Sequence, residues 1–290
     1  MAVLPRPVLV LLRAPLNRPC EAVAADLVDA FDALSATRLK LQLAWRALNE
    51  PLHGVAGWSC ALHAAGEALA AWADANAPYV DRHPYHNRQH LAEVLLTASL
   101  LARQHRLPTF AVQLLLVAAL MHDLDHDGAP ARGFVAERRS MAFARPFLDA
   151  AGVSPAQCAQ LDALVLATEP AEGVRTALAS ASRRTPAAVN PAPPPAAPEL
   201  QRLNHDPLLA LLARLLCEAD VLPSIGLTLA HGLRLQALLA QEWGRPLGPT
   251  DKLRFIDESL SLGVVGAFFE PNVQRLRKLL LASLDDHAVA

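Results

Sequence analysis

Residues 110–121 read F-A-V-Q-L-L-L-V-A-A-L-M, and the next two are His122 and Asp123. The run has helix-forming composition and apolar residues on every side, which places it in the middle of a bundle with other helices packed around it. Thr109, after Pro108, reads as its N-cap, and Gly128 with Pro130 as its stop. A chain built round such a helix needs amphipathic partners, and the 3.6-residue period supplies them. Helical stripes run over 21–48, 58–75 and 86–105 before it, and over 134–150, 155–167, 208–220, 225–243, 251–269 and 273–284 after it. Ser154 and Pro155 form an N-cap and first-turn pair.

Composition agrees with this reading. Apolar residues make up 53% and are mainly Ala, Leu and Val, aromatics only 5%, and glycine is scarce. That argues for a Leu/Ala-packed all-α protein, a single compact helical bundle of about ten helices, rather than a β-sandwich or a disordered chain. The Pro-rich stretch at 184–198 can be neither helix nor sheet and reads as an extended surface loop.

Charge and cysteine content exclude several classes. Lys+Arg 26 against Asp+Glu 28 gives a formal charge of −2 with no basic run, so nucleic acid is not the expected partner. No apolar run reaches the roughly 18 to 20 residues of a membrane span. The apolar stretch 8–12 lacks the flanks of a signal peptide. Cys20, Cys60, Cys158 and Cys217 form no CxxC pair, which suits a reduced, cytoplasmic protein.

Two clusters carry chemistry. The first is Tyr85-His86-Asn87-Arg88-Gln89-His90, read as two histidines one turn apart on a helix. The second, His122-Asp123-Leu124-Asp125-His126-Asp127-Gly128, repeats the i, i+4 pair at the end of the buried helix. Burying two imidazoles and a carboxylate costs several kcal/mol unless they are paired or hold a metal. Neutral histidine with carboxylate oxygens suits zinc, manganese, iron or magnesium. Each piece also has a plainer reading: a lone histidine on a helix is usually a surface or satisfied core residue. His53, His63, His105, His205, His231 and His287 are left there.

Y-H-N-x-x-H followed by H-D-x-D-H-x-G resembles the HD-domain metal phosphohydrolases, most closely the class I cyclic-nucleotide phosphodiesterases. Leu166-Ala167-Thr168-Glu169, Cys217-Glu218-Ala219-Asp220-Val221-Leu222-Pro223 and Phe255-Ile256-Asp257 resemble that family's L-A-T-D, C-x-A-D and F-I-D elements. The resemblance runs from about Tyr85 to Pro271. It implies a catalytic domain over 81–290, with residues 1–80 as a helical segment packed on it.

The resemblance also implies roles. His90, His122, Asp123 and Asp220 would ligate a tight metal, zinc or Mn2+/Fe2+, and Asp123 would bridge to a second, water-rich Mg2+ or Mn2+. His86 would be the general acid, with His126 and Asp125 beside the second ion. Tyr85, Asn87, Thr168 and Glu169 would support this shell, as would Glu137, which with Ser140 makes an E-x-x-S pattern resembling another HD branch. Two divalent ions about 3.5 to 4 Å apart activate a bridging water and clamp both oxygens of a displacement at phosphorus, leaving the protein to supply a positioned acid. The expected function is phosphodiester hydrolysis of a small, nucleotide-derived ester; a homodimer is compatible with it.

Departures qualify the substrate. The family holds a purine with Gln three residues before the Phe of F-I-D, where this chain has Lys252, and has Asn where this chain has Leu222. A Gln amide donates and accepts, whereas Lys only donates. Phe255 keeps a stacking face. A nucleotidase or nucleoside-triphosphate phosphohydrolase of the wider superfamily is the alternative enzyme. A non-catalytic metal- or nucleotide-binding regulator is the alternative class.

Overall fold

The computed structural model describes residues 4–15, 17–130, 133–182 and 196–288. They form fourteen α-helices and no strand. These are α1 (Arg6–Arg13), α2 (Cys20–Ser35), α3 (Lys40–Asn49), α4 (Cys60–Ala75), α5 (Ala77–Val80), α6 (Arg88–Gln104) and α7 (Thr109–Met121). After them come α8 (Val135–Ala150), α9 (Pro155–Leu166), α10 (Glu172–Ala181), α11 (Pro207–Ile225), α12 (Leu229–Glu242), α13 (Pro249–Leu262) and α14 (Glu270–Ala288). Short 3-10 turns lie at Glu50–Leu52 and Pro198–Asn204. No helix among the described residues is long and apolar enough to cross a membrane. Residues 184–195 of the Pro-rich stretch lie outside the described residues.

The all-apolar helix sits where its composition puts it. On α7 only Phe110 and Val112 are even half-buried, and α4, α6, α8, α9 and α11 all pack against it. The polar side chain in its middle, Gln113, is fully buried and satisfied: its Oε1 accepts from the Ser59 amide at 2.7 Å and its Nε2 donates to the Ser59 carbonyl. Ser59 in turn caps α4 through its hydroxyl. Helices α6, α7 and α11 form the centre, with α2 and α3 laid against α6. Between α3 and α4, Gly66 admits the buried indole of Trp45, and a Cβ there would meet two indole carbons at 2.1 Å.

The helix count exceeds about ten because several expected segments break and short ones appear. Residues 21–48 divide into α2 and α3: Ser35 and Thr37 turn their hydroxyls onto the Asp32 and Leu34 carbonyls, and the Arg88 guanidinium takes the Arg38 carbonyl exposed by the break. Thr109 is the first residue of α7, not its cap; Pro108 holds the cap position, with no side-chain bond. Helix α11 runs past Asp220 and through Pro223 to Ile225, because Leu222 and Ile225 are pulled into the core. Helix α13 stops at Leu262, where Gly263 takes φ 73° and reverses the chain. Ser154 closes a full capping box with Gln157 at the start of α9.

Candidate functional site

The two histidine clusters meet, but not as one-turn pairs on helices. Asn87 is the N-cap of α6, with extended backbone, so His86 lies outside the helix and His90 in its first turn. His122 caps the C-terminal end of α7, and His126 follows in the turn beyond. The loop dictates this geometry. The Asn87 Oδ1 accepts from the amides of Gln89 and His90, and its Nδ2 donates to the Pro84 carbonyl. Asn87 therefore aims His90 by starting α6.

His90, His122, Asp123 and Asp220, from α6, the end of α7 and the middle of α11, put one donor atom each within 4.8 Å of all the others. The His90 Nε2 is 3.2 Å from Asp123, 3.3 Å from Asp220 and 3.3 Å from the His122 Nε2. The His122 Nε2 is 3.2 Å from Asp123 and 3.7 Å from Asp220. Four ligands held tetrahedrally about 2.0–2.2 Å from a cation sit roughly 3.3–3.6 Å apart, so the set fits one ion. The His122 Nδ1 donates to the Ala119 carbonyl at 2.9 Å, which leaves the Nε2 lone pair facing its neighbours.

Electrostatics point the same way. Burial opposes charge on His90, yet hydrogen bonds to Asp123 and Asp220 outweigh it and raise this imidazole to about 9. Burial likewise opposes charge on His122, and Asp123 and Asp220 together hold it well above its ordinary value. Burial also works against ionised Asp123 and Asp220, yet the two imidazoles hold both carboxyls well below the usual carboxylate range. A divalent cation would supply the same positive charge at that point.

Beside this set stands His86. Its Nδ1 donates to the Glu242 Oε1 at 2.5 Å, while the Glu242 Oε2 accepts from the backbone amides of Tyr85 and His86 at 2.8 and 3.0 Å. The imidazole is thereby fixed with its Nε2 toward Asp123, 3.8 Å away. His126 stacks on His86 with ring centroids 3.7 Å apart. The donor atoms of His86, His126 and Glu242 also cluster. However, the His126 Nδ1 accepts from the Gly128 amide, so neutral His126 carries its proton on Nε2 and is a donor rather than a ligand. Gly128 reaches this bond with φ 78°, and a Cβ there would strike the His83 ring at 2.5 Å.

These residues open into a cavity of about 510 Å³. Tyr85, Glu137, Thr168, Lys252 and Phe255 line it with the cluster. The Tyr85 hydroxyl lies 3.1 Å from the Ser224 Oγ. Burial, with Asp123 and Glu169 nearby, pushes the Glu137 carboxyl up to about 7, and both its Oε2 and the Ser140 Oγ are buried without partners. Burial pushes the Lys252 ammonium down to about 8. Phe255 is 40% exposed at the mouth.

Two expected residues are not brought to the cluster. The Asp125 carboxylate is taken by the Tyr79 hydroxyl, Arg139 and Arg82. Glu169 folds back to accept from the amides of Glu172 and Gly173 and so starts α10. Leu222 is fully buried in the core. His231, read as either a surface or a satisfied core residue, is the second: its Nε2 meets the buried Glu93 at 3.1 Å. Sequence reasoning missed Glu242. In L-A-Q-E-W-G it reads as a solvated charge at a helix end, and only folding brings it to His86, 156 positions away.

No family model and no curated protein matches the chain. Among solved structures, it is similar to LmjPDEB1 in complex with IBMX: 18% identity over 99% of each chain, TM-score 0.62. It is also similar to the phosphodiesterase domain of the RhoPDE fusion protein from the choanoflagellate Salpingoeca rosetta, with 18% identity over 96% of each chain and TM-score 0.55. The chain has the all-helical fold of these phosphodiesterase domains over 96–99% of its length.

Proposed function

We propose that this protein is a divalent-metal-dependent phosphodiester hydrolase acting on a small, nucleotide-derived ester. The observation that carries the reading is the convergence of His90, His122, Asp123 and Asp220 on one point at a cavity wall, with a Glu242-anchored histidine beside them. Phosphodiesterase-like structure over the whole chain supports it. His90, His122, Asp123 and Asp220 would hold one ion; Asp123, with Glu137 and Thr168 nearby on the same cavity wall, would face a second. Bound ions of this kind offset phosphate charge and make water a nucleophile at neutral pH.

The chain's own residues do the rest. The His86 Nε2 faces the oxygen leaving phosphorus and supplies its proton, and Glu242 holds that imidazole in place. His126 presents Nε2–H next to it and orients an oxygen of the phosphate. Phe255 and the apolar wall receive the rest of the ester and exclude water. We read residues 1–80 as support: α2 and α3 pack on α6, whose first turn carries His90.

The test is metal analysis of the purified protein with turnover of cyclic nucleotides, nucleotides and model diesters under Mn2+, Mg2+ and Zn2+. Stoichiometric metal and diester cleavage, both lost in Asp123→Ala, are expected. A protein that holds no metal, and whose Asp123→Ala variant is unchanged in stability and activity, would overturn the reading.

A further inference from the structure

The loop that carries His86 and the turn that carries His126 are tied together by one side chain. Arg82, in the loop 81–87, sends its guanidinium across to the turn 122–128. Its Nη2 donates to the His126 carbonyl at 2.6 Å and lies 3.4 Å from the Asp125 Oδ1. Its Nη1 donates to the Tyr79 carbonyl at 2.9 Å, and its Cζ sits over the Tyr79 ring, 4.2 Å from the centroid. Among the described residues, every hydrogen bond between this loop and this turn comes from Arg82. The surroundings fix the guanidinium. The Tyr79 hydroxyl donates to the Asp125 Oδ1 at 2.5 Å, and Arg139 of α8 donates to the Oδ2 at 2.7 Å, so the carboxylate is held from both sides. The Trp72 and Tyr79 rings meet edge to face with centroids 6.0 Å apart. A planar fork bonded at both ends and stacked on a ring has few orientations left. None of Tyr79, Arg82, Asp125 and Arg139 lines the cavity.

The bonds within the turn do not set its distance from His86. The His126 amide donates to the Asp123 carbonyl and the His126 ring accepts from the Gly128 amide, both inside the turn. Glu242 likewise fixes His86 alone. We propose that Arg82 is a positioning residue: by joining loop to turn it seats the His126 ring on the His86 ring, with centroids 3.7 Å apart, so that the two imidazoles meet a phosphate as one rigid face. This rests on the hydrolase reading above and deepens it. A displacement of about 1 Å in such a pair can cost about a hundredfold in rate, although the displaced residue lies away from the chemistry. The task needs a fork, because two carbonyls on different segments are bridged by two nitrogens of one plane. A lysine has a single donor centre and cannot span them.

Two readouts separate this from a general loss of stability. The first is the nuclear Overhauser effect (NOE) between the His86 and His126 ring protons, in full-length protein labelled at histidine and loaded with Zn2+. The second is kcat for an alkyl and a nitrophenyl diester, with metal content measured alongside. Arg82→Met keeps the stem and removes the donors. The NOE should weaken or vanish, and kcat should fall about tenfold or more for both esters by a similar factor, with metal content and helical circular dichroism retained. The similar factor sets this apart from loss of a proton donor, which spares the nitrophenyl ester. Arg82→Lys should fall between the two proteins. An unchanged NOE and kcat in Arg82→Met overturn the inference. So does activity lost in proportion to metal, which would make Arg82 a prop of the four-residue set. Should Arg82→Met not fold, Arg82→Lys decides: an unchanged NOE and kcat overturn the inference, and a weaker NOE with kcat lowered about threefold or more at full metal content upholds it. An NOE that depends on Arg82, without turnover of any diester under any metal, upholds the positioning and removes the hydrolase reading.

Discussion

Replacing Glu242 by Gln isolates the function of one carboxylate. The side chain is 1% exposed and makes three hydrogen bonds, two from backbone amides and one from the His86 ring. Burial alone would raise its pKa; the His86 bond and charge, with the amides, instead hold it at about 2 against an ordinary 4.5. That difference corresponds to about 3 kcal/mol favouring the ionised form. Because the folded value is depressed, this stability is present above pH 4.5 and is lost as pH falls from there toward 2. Glutamine keeps the size and one acceptor for the amides, but turns an N–H toward the His86 Nδ1. The ring must then accept there, and the carboxylate that fixed its orientation is gone. Loss of a general acid typically costs about 10²–10⁴ in rate. For an alkyl diester, whose leaving alkoxide needs a proton, kcat should fall at least a hundredfold. For a nitrophenyl diester, which departs unaided, it should fall less than tenfold. Denaturant unfolding at pH 7 should show a loss of up to about 3 kcal/mol, shrinking as the pH is lowered toward 3. Equal losses for both esters with normal metal content would refute the positioning role of Glu242 and the acid role of His86 together.

Other consequences are simpler to check. Asp123→Asn and Asp220→Asn each remove a charged donor from the four-residue set, and metal analysis should show bound metal falling from stoichiometric to near zero. Gly66→Ala places a methyl 2.1 Å from the Trp45 indole and should destabilise the fold by about 1–3 kcal/mol in denaturant unfolding, leaving bound metal unchanged. Glu218, buried against the Gly266 amide, is pushed up to about 7 by burial. The folded state therefore holds its proton longer than the unfolded chain, so stability falls as pH rises from 4.5 to 7, by up to about 3 kcal/mol. Glu218→Gln should flatten that part of the pH–stability curve, and an unchanged slope would contradict the assignment.

The central helix and the His-Asp pair at its end were legible in the sequence because both are local patterns with costs attached, whereas His90 and Asp220 joined that pair only through the family resemblance. An all-apolar run has to be buried, and a His-Asp pair at its end has to be satisfied. The loop identities of His86 and His126 were not legible, because i, i+4 spacing looks the same on a helix and across a cap; only the extended backbone of Asn87 separates them. Asp125 and Glu169 were placed at the site by motif, yet arginines and backbone amides at hydrogen-bond distance claim them instead. Glu242 lies on a helix with no motif, and its contact with His86 exists only across the fold.

The four clustered side chains come from three helices, and His90 and Asp220 are 130 positions apart in the chain. No unfolded chain brings them together, so an ion bound by all four binds the native state alone. Metal supply would then bear on the stability of the fold as well as on the proposed activity. Once the free ion exceeds its dissociation constant, each further tenfold adds about 1.4 kcal/mol to the native state. A chelator added to the protein should therefore act as a denaturant of graded strength, and the melting temperature becomes a gauge of the free metal around it.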